Sequence, residues 1–218
     1  MFFDHVPERL LRFLGRDIKL IFLLRDPVQR ALSQYYNSLR MGSERASFEE
    51  AVRSVEEGRE DSPLSTMRSR YITRGYYASQ IKRYLKLFPI DNMLFIIFET
   101  DFLKNREQTI GRILDLLGVE RVALDVNIKS NATSISRSRV LKRLIHKPNP
   151  LRDAAKILVP SKRLRKGISS LIERLNDKKT EKTTISPDLR KHLLDRFFMR
   201  EIRDLEELMQ KDLRHWYT

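Results

Sequence analysis

Two short apolar runs punctuate the chain. Ile18–Leu24 is interrupted only by Lys19, and Met93–Phe98 is apolar throughout. Their length and β-branched content predict buried strands of the parallel type, hydrophobic on both faces. Elsewhere the apolar positions recur every three or four residues. Val6–Leu14 predicts a short helix with Pro7 in its first turn. Arg25-Asp26-Pro27 ends the first strand. Asp26 is placed to cap, and Pro27 to open, a helix whose apolar positions Val28, Ala31, Leu32, Tyr35, Tyr36 and Leu39 lead to Met41. Ser47 and Glu50 have capping-box spacing and start a helix running to about Val55. Glu56–Ser65, polar and holding Gly58 and Pro63, predicts a surface loop. Gly75 precedes a helix from Tyr76 to Phe88 that Pro89 stops, and Asn105 caps another through Leu117, closed by Gly118.

Beyond that point, Asn127–Ser138 reads as a polar loop, and 138–146, 151–158 and 162–176 as basic helical segments. Asp177–Thr184 reads as a charged linker. Ser186-Pro187 opens a long helical region ending near Trp216, in which Phe197, Phe198, Ile202, Leu205 and Leu208 are spaced as a core stripe. Strands alternating with amphipathic helices predict an α/β fold with a small parallel sheet flanked by helices, richer in helix toward the C-terminus.

The 218 residues suit a single domain over 1–218, with an α/β part at 1–128 and a basic helical part at 129–218. Lys and Arg number 43 against 29 Asp and Glu, for a net charge of +14. The excess is local: 129–182 carries +12, while 1–128 carries +2 and 183–218 is neutral. Such a segment is either a solvated basic face, open to nonspecific nucleic-acid or membrane-surface contact, or the neighbour of a phosphate-rich ligand. Of the basic residues 28 are arginine, whose planar fork matches phosphate and sulfate oxygens bidentately. The absence of cysteine excludes disulfides, thiolate catalysis and Cys-ligated zinc, and suits a cytoplasmic protein. No apolar run reaches the roughly 18 residues of a membrane span. The start, Met1-Phe2-Phe3-Asp4-His5, lacks the basic and apolar regions of a secretory signal. His5, His146, His192 and His215 are too dispersed to predict a metal site.

The candidate chemistry begins where the first strand ends. Arg25 stands at its carboxyl end, where open α/β sheets bind ligands, and Ser33 follows two turns into the next helix. With the helix N-terminus they make a plausible phosphate cradle; the competing assignment makes Arg25 a salt-bridge partner and Asp26 a plain cap. Glu99 and Asp101, after the second strand, either orient a ligand or cap the next element. Tyr76 and Tyr77 either stack a base or pack the core, with packing favoured.

A wider series of matches goes further. Val6-Pro7-Glu8-Arg9-Leu10, the run Lys19–Pro27, and Arg30 followed by Ala31-Leu32-Ser33-Gln34-Tyr35 resemble sulfotransferases that use 3′-phosphoadenylyl sulfate (PAPS), above all the heparan-sulfate type and related bacterial members. Gly75–Ile81, Phe88-Pro89, and the strand ending at Glu99 before Asp101-Phe102-Leu103 resemble the next helix-strand unit of that family. Asn131, Ser134 and Arg137-Ser138-Arg139 resemble its late loop, and Leu213 and Trp216 its C-terminal helix. The resemblance implies the P-loop-NTPase-like sulfotransferase fold, PAPS as co-substrate with no metal, and a hydroxyl or amine acceptor, plausibly carbohydrate, rather than nucleic acid. It implies that Arg25 and Ser33 bind the 3′-phosphate of PAPS and of its product PAP. Arg137 and Arg139 are the candidates from the late loop, with exposed basic residues before a helix as the equal alternative.

One departure matters. The family's opening strand, its Gly-Lys-Ser/Thr phosphate loop and its catalytic base all precede the Val-Pro-Glu-Arg segment, which here begins at Val6. None of the seven glycines belongs to such a triplet. The sequence therefore predicts an N-terminally truncated domain in which no catalytic residue can be named. Three readings stand: a sulfotransferase, a non-catalytic relative that binds PAP(S) or polyanions, and a basic nucleic-acid-binding protein.

Overall fold

A computed structural model describes residues 2–58, 62–121, 134–136, 177–179 and 185–218. The chain forms two compact units. Among the described residues, the first holds 2–34, 46–58, 62–121 and 185–218, and the second 35–45, 134–136 and 177–179.

The first unit is built on two strands, β1 (Leu20–Leu24) and β2 (Met93–Ile97). They pair in parallel, with Leu20 opposite Met93 and Leu24 opposite Ile97. Both therefore end on the same edge, with Arg25 just past one end and Phe98-Glu99 past the other. On one face Phe22 stacks on Phe95 at 5.3 Å and meets Tyr84 edge-on at 5.4 Å. Leu24 and Ile97 there are fully buried. On the other face Ile21 and Leu23 remain 43% and 54% exposed. β1 is thus hydrophobic on both faces but more fully covered on one, while Ile96 of β2, opposite Leu23, is buried on the other.

The helices follow the sequence pattern closely. α1 (Val6–Leu14) carries Pro7 in its first turn. α2 (Pro27–Met41) starts on Pro27, with Asp26 Oδ1 accepting the amides of Val28 (2.8 Å) and Gln29 (3.1 Å). α3 (Phe48–Glu56) has a complete capping box between Ser47 and Glu50. α5 (Tyr77–Leu85) and α6 (Arg106–Leu117) occupy the expected places, and Gly118 ends α6 in the left-handed conformation at φ 66°. One helix was not foreseen. The stretch expected to be loop gives way at Ser62 to α4 (Pro63–Thr73), opened by a reciprocal Ser62–Ser65 cap and Pro63.

The last segment, α7 (Pro187–Leu193), passes through a wide π-type turn at Leu194–Phe198 into α8 (Met199–Met209). Of its expected core stripe, Phe198, Ile202 and Leu205 are buried. α8 packs on α5, tied by Lys82 to Asp204 at 2.7 Å and by the Ser79 amide to Glu201 at 3.1 Å. Gly75, between α4 and α5, lies where three elements meet: a Cβ there would come within 2.7 Å of Phe198 Cε1 and 3.1 Å of both Pro27 Cβ and the Ile72 carbonyl.

In the second unit β3 (Ser134–Ser136) pairs antiparallel with β4 (Asp177–Lys179), Ser134 opposite Lys179. The sequence reading made these a loop and a linker. Ser-Ile-Ser and Asp-Lys-Lys carry no local strand pattern, so the pairing itself supplies the structure. The basic segments expected to be helical at 138–146, 151–158 and 162–176 lie outside the described residues.

Candidate functional site

The carboxyl edge of the β1–β2 pair gathers a cluster of charged and polar groups. Arg25 leaves β1 with its guanidinium carbon 5.5 Å from the centre of the Phe98 ring and its Nε facing Glu99 Oε1 at 3.9 Å. That Nε is buried and makes no hydrogen bond among the described residues. Among the described residues neither terminal nitrogen of Arg25 meets a protein acceptor. The side chain is 33% exposed, with its base buried beside Glu99.

Asp26 is buried and does three things. One carboxylate oxygen caps α2, the other accepts Arg190 Nη2 at 2.8 Å, and its backbone amide donates to Glu99 Oε1 at 3.1 Å. Glu99 in turn accepts the indole N–H of Trp216 on Oε2 at 3.2 Å. Arg190 Nη2 also donates to the Trp216 carbonyl at 2.5 Å. A closed ring of hydrogen bonds results: Glu99 to Asp26, Asp26 to Arg190, Arg190 to the Trp216 backbone, and the Trp216 ring back to Glu99. It fastens the ends of both strands to α7 and to the last residues of the sequence. Trp216 is fully buried beside Tyr77, their rings 6.2 Å apart.

Two further groups lie inward of this edge. Arg30 is largely buried; its two terminal nitrogens donate to the Tyr71 carbonyl and, at 2.8 Å, to Gln34 Oε1. Burial lowers its pKa, Tyr77 opposes, and the charges of Arg74 and Arg25 add to the lowering. It caps the C-terminus of α4, a task shared with Gln80, which donates to the carbonyls of Thr73 and Arg74. Tyr77 is buried, and burial pushes its phenol well above the ordinary value. The Arg30 charge and the Arg25 backbone work the other way, while Asp26 and Glu99 reinforce the rise. Tyr77 is therefore a neutral hydrogen-bonding group between positive and negative neighbours. The packing favoured for it by sequence is what the structure shows; Tyr76 is half-exposed against Phe198.

Of the residues singled out by sequence, Arg25 stands at the strand end as expected. Ser33 is exposed on α2, three residues beyond Arg30, and no hydrogen bond joins it to Arg25 among the described residues. Arg137 and Arg139 lie outside the described residues. Asp101 serves the elements rather than the Arg25 edge: it accepts the Ile97 amide at 2.9 Å and Lys211 Nζ at 2.6 Å. His192 meets Glu56 at 2.6 Å, joining α7 to α3. Sequence reasoning missed Arg190, and gave Trp216 only as the end of the final helical region and a point of resemblance, because their partners lie 164 and 117 positions away. For Glu99 the signal was present, since an acid at a parallel strand end was one of two assignments weighed.

A family model, the sulfotransferase domain, matches residues 1–156. The chain belongs to the sulfotransferase domain family. Among curated relatives, this sulfotransferase-domain chain is 32% identical over 121 residues to human heparan sulfate glucosamine 3-O-sulfotransferase 3B1, which covers 55% of the chain and 30% of that protein. It is 31% identical over 125 residues to human heparan sulfate glucosamine 3-O-sulfotransferase 6, covering 57% of the chain and 35% of the relative. The chain thus spans about a third of the length of these relatives. The crystal structure of a sulfotransferase from Alicyclobacillus acidocaldarius aligns over 100% of this chain and 64% of its own, with a TM-score of 0.64 and 24% identity. The fold is therefore that of a sulfotransferase, P-loop-like and α/β.

Proposed function

We propose that this chain carries the 3′-phosphate-binding half of a PAPS-dependent sulfotransferase acting on a hydroxyl or amine, plausibly of a carbohydrate. In that reaction the bond between sulfur and the phosphate oxygen of PAPS breaks. A bond from sulfur to the acceptor oxygen or nitrogen forms, the acceptor proton leaves, and PAP is released. The observation that carries the reading is Arg25. A guanidinium sits at the carboxyl end of a parallel strand, its Nε facing Glu99 at 3.9 Å and its terminal nitrogens without a protein acceptor among the described residues, one residue before the capped N-terminus of α2. Ser33 supplies a hydroxyl two turns along the same helix. A phosphate dianion would take two parallel hydrogen bonds from the Arg25 fork, which is the strong form of the contact. Arg137 and Arg139 complete the proposed set of nucleotide-binding residues, and the absence of cysteine suits a proposed cytoplasmic setting.

Calorimetry tests it. PAP should bind more tightly than AMP, which lacks the 3′-phosphate. Arg25→Ala should remove most of that preference, at about 2–4 kcal/mol for a partly buried charge-assisted pair. Ser33→Ala should cost about 1 kcal/mol. Equal affinity for PAP and AMP in the parent protein would sink the assignment.

The second reading, binding of PAP(S) without turnover, is favoured by one observation: the 218 residues contain no Gly-Lys-Ser/Thr triplet to hold the 5′-phosphosulfate. Loss of a preorganised electrostatic contact costs roughly 10²–10³ in rate, and of a general base roughly 10²–10⁴. Radiolabelled sulfate transfer separates the two. These 218 residues should bind PAP yet transfer sulfate weakly, and brisk transfer by them would return the catalytic groups to this sequence.

A further inference from the structure

Arg25 is flanked by a carboxylate that a simple phosphate site would do better without. Glu99 Oε1 lies 3.9 Å from Arg25 Nε, close enough to offset part of its charge and to repel an incoming dianion. A glutamate in that place needs a reason, and its partners supply one. Both of its oxygens are engaged: Oε1 by the Asp26 amide at 3.1 Å and Oε2 by the Trp216 indole at 3.2 Å. The residue is half-buried and cannot swing aside without leaving two donors unmet. Its position is fixed from both sides of the hydrogen-bonded ring, by Asp26 at the end of β1 and by Trp216, which Arg190 holds through the carbonyl.

We infer that Glu99 is the positioning residue of the Arg25 site, and that the Trp216–Arg190 latch sets where Glu99 stands. This rests on the assignment of Arg25 to the 3′-phosphate. Glu99 faces the Nε side of the guanidinium as an ion pair at 3.9 Å, without a hydrogen bond, while Phe98 lies 5.5 Å from its carbon. The terminal nitrogens are thereby aimed outward as a pair before any ligand arrives. The favourable effect is on the orientation of the fork and the unfavourable one is on charge; positioning outweighs repulsion because Arg25 is a long side chain that would otherwise sample several rotamers. The C-terminal segment thereby acts on a nucleotide site formed by residues near the start of the sequence, without touching the nucleotide.

The sign of one substitution decides the matter. Glu99→Gln removes the negative charge and places an amide donor against either the Asp26 amide or the Trp216 indole. If Glu99 were only a nearby charge, PAP would bind more tightly to the variant. If Glu99 positions Arg25, PAP affinity falls about tenfold, the size of one lost charged hydrogen bond, while AMP affinity stays put. Trp216→Phe keeps an aromatic ring but deletes the indole N–H together with part of the buried bicycle, so it should lower PAP affinity in the same direction, by a few-fold, and gives a second variant beside Glu99→Gln. Calorimetry with PAP and AMP on the 218-residue protein, with circular dichroism to verify folding, gives the readout. A PAP-over-AMP preference that is unchanged or enlarged in both variants overturns the positioning role and leaves the Arg25 assignment standing. Loss of affinity for both nucleotides alike shows a merely structural ring and also overturns it. No preference in the parent protein overturns the Arg25 assignment itself.

Discussion

At Gly75 a single hydrogen atom in place of a methyl group allows three elements to meet. A Cβ would press on the Phe198 ring at 2.7 Å and on Pro27 and the Ile72 carbonyl at 3.1 Å. The ring can shift only by disturbing a fully buried side chain, and the carbonyl belongs to α4. Gly75→Ala should therefore lower stability by about 1–3 kcal/mol, the cost of overpacking a well-filled core, and urea unfolding should report it. An unchanged midpoint would mean that Phe198 has room the structure does not show. Sequence recognised Gly75 as the residue before a helix, and Asp26 as a cap, because both roles depend on immediate neighbours. It could not choose between two roles for Glu99, since one donor lies 73 residues back, just past β1, and the other 117 residues on.

Elements were legible in proportion to how local their signals are. Ser47 and Glu50 announce α3, and the structure contains both halves of the box, with the Glu50 amide on Ser47 Oγ at 3.2 Å and the Ser47 amide on Glu50 Oε2 at 2.8 Å. Ser47→Ala should destabilise the protein by about 1 kcal/mol, and Ser47→Asp should restore most of the loss in a thermal melt. α4 escaped notice because Glu, Gly, Arg and Ser surround its start, and its apolar positions Leu64, Met67, Tyr71 and Ile72 are diluted by serine and arginine. Two serines make its cap, which is a weaker signature than Ser with Glu. For β1 the error concerned environment, not identity. A continuous apolar run predicts burial on both faces, yet Ile21 and Leu23 are exposed, since a strand's own residues cannot report which neighbours cover it.

Among the described residues, charge holds distant segments together. Asp101 joins β2, α6 and the residues after α8: it accepts Lys211, lies 3.6 Å from Arg112, and takes the Ile97 amide. Burial alone would raise its pKa. The Lys211 hydrogen bond, the Ile97 amide and the charges of Lys211 and Arg112 outweigh burial and hold it below the ordinary value. A carboxyl whose pKa is depressed on folding contributes stability above its unfolded pKa of about 3.9, and that contribution is lost as pH falls through the folded value. Asp101→Asn should therefore lower the melting temperature at pH 7, and the gap to the parent protein should narrow below about pH 4. A gap that stays constant to pH 2 would show that the carboxylate's charge is not what matters. Family membership was legible from the ordered motifs between Val6 and Trp216, whereas the join between the two ends of the sequence was not, because it is made of contacts that no spacing rule encodes.

The hydrogen-bonded ring also has an order of assembly. Arg25 and Asp26 leave the ribosome early, Glu99 midway, and Arg190 and Trp216 last, so the residues that would grip a nucleotide are made long before those that lock them in place. The closing bonds span 164 and 117 positions, and contacts of such separation form late and slowly in folding. Until they form, Asp26 can cap α2 but Glu99 has no indole to hold it. Synthesis thus supplies the last members of the ring, Arg190 and Trp216, only at the end of the chain.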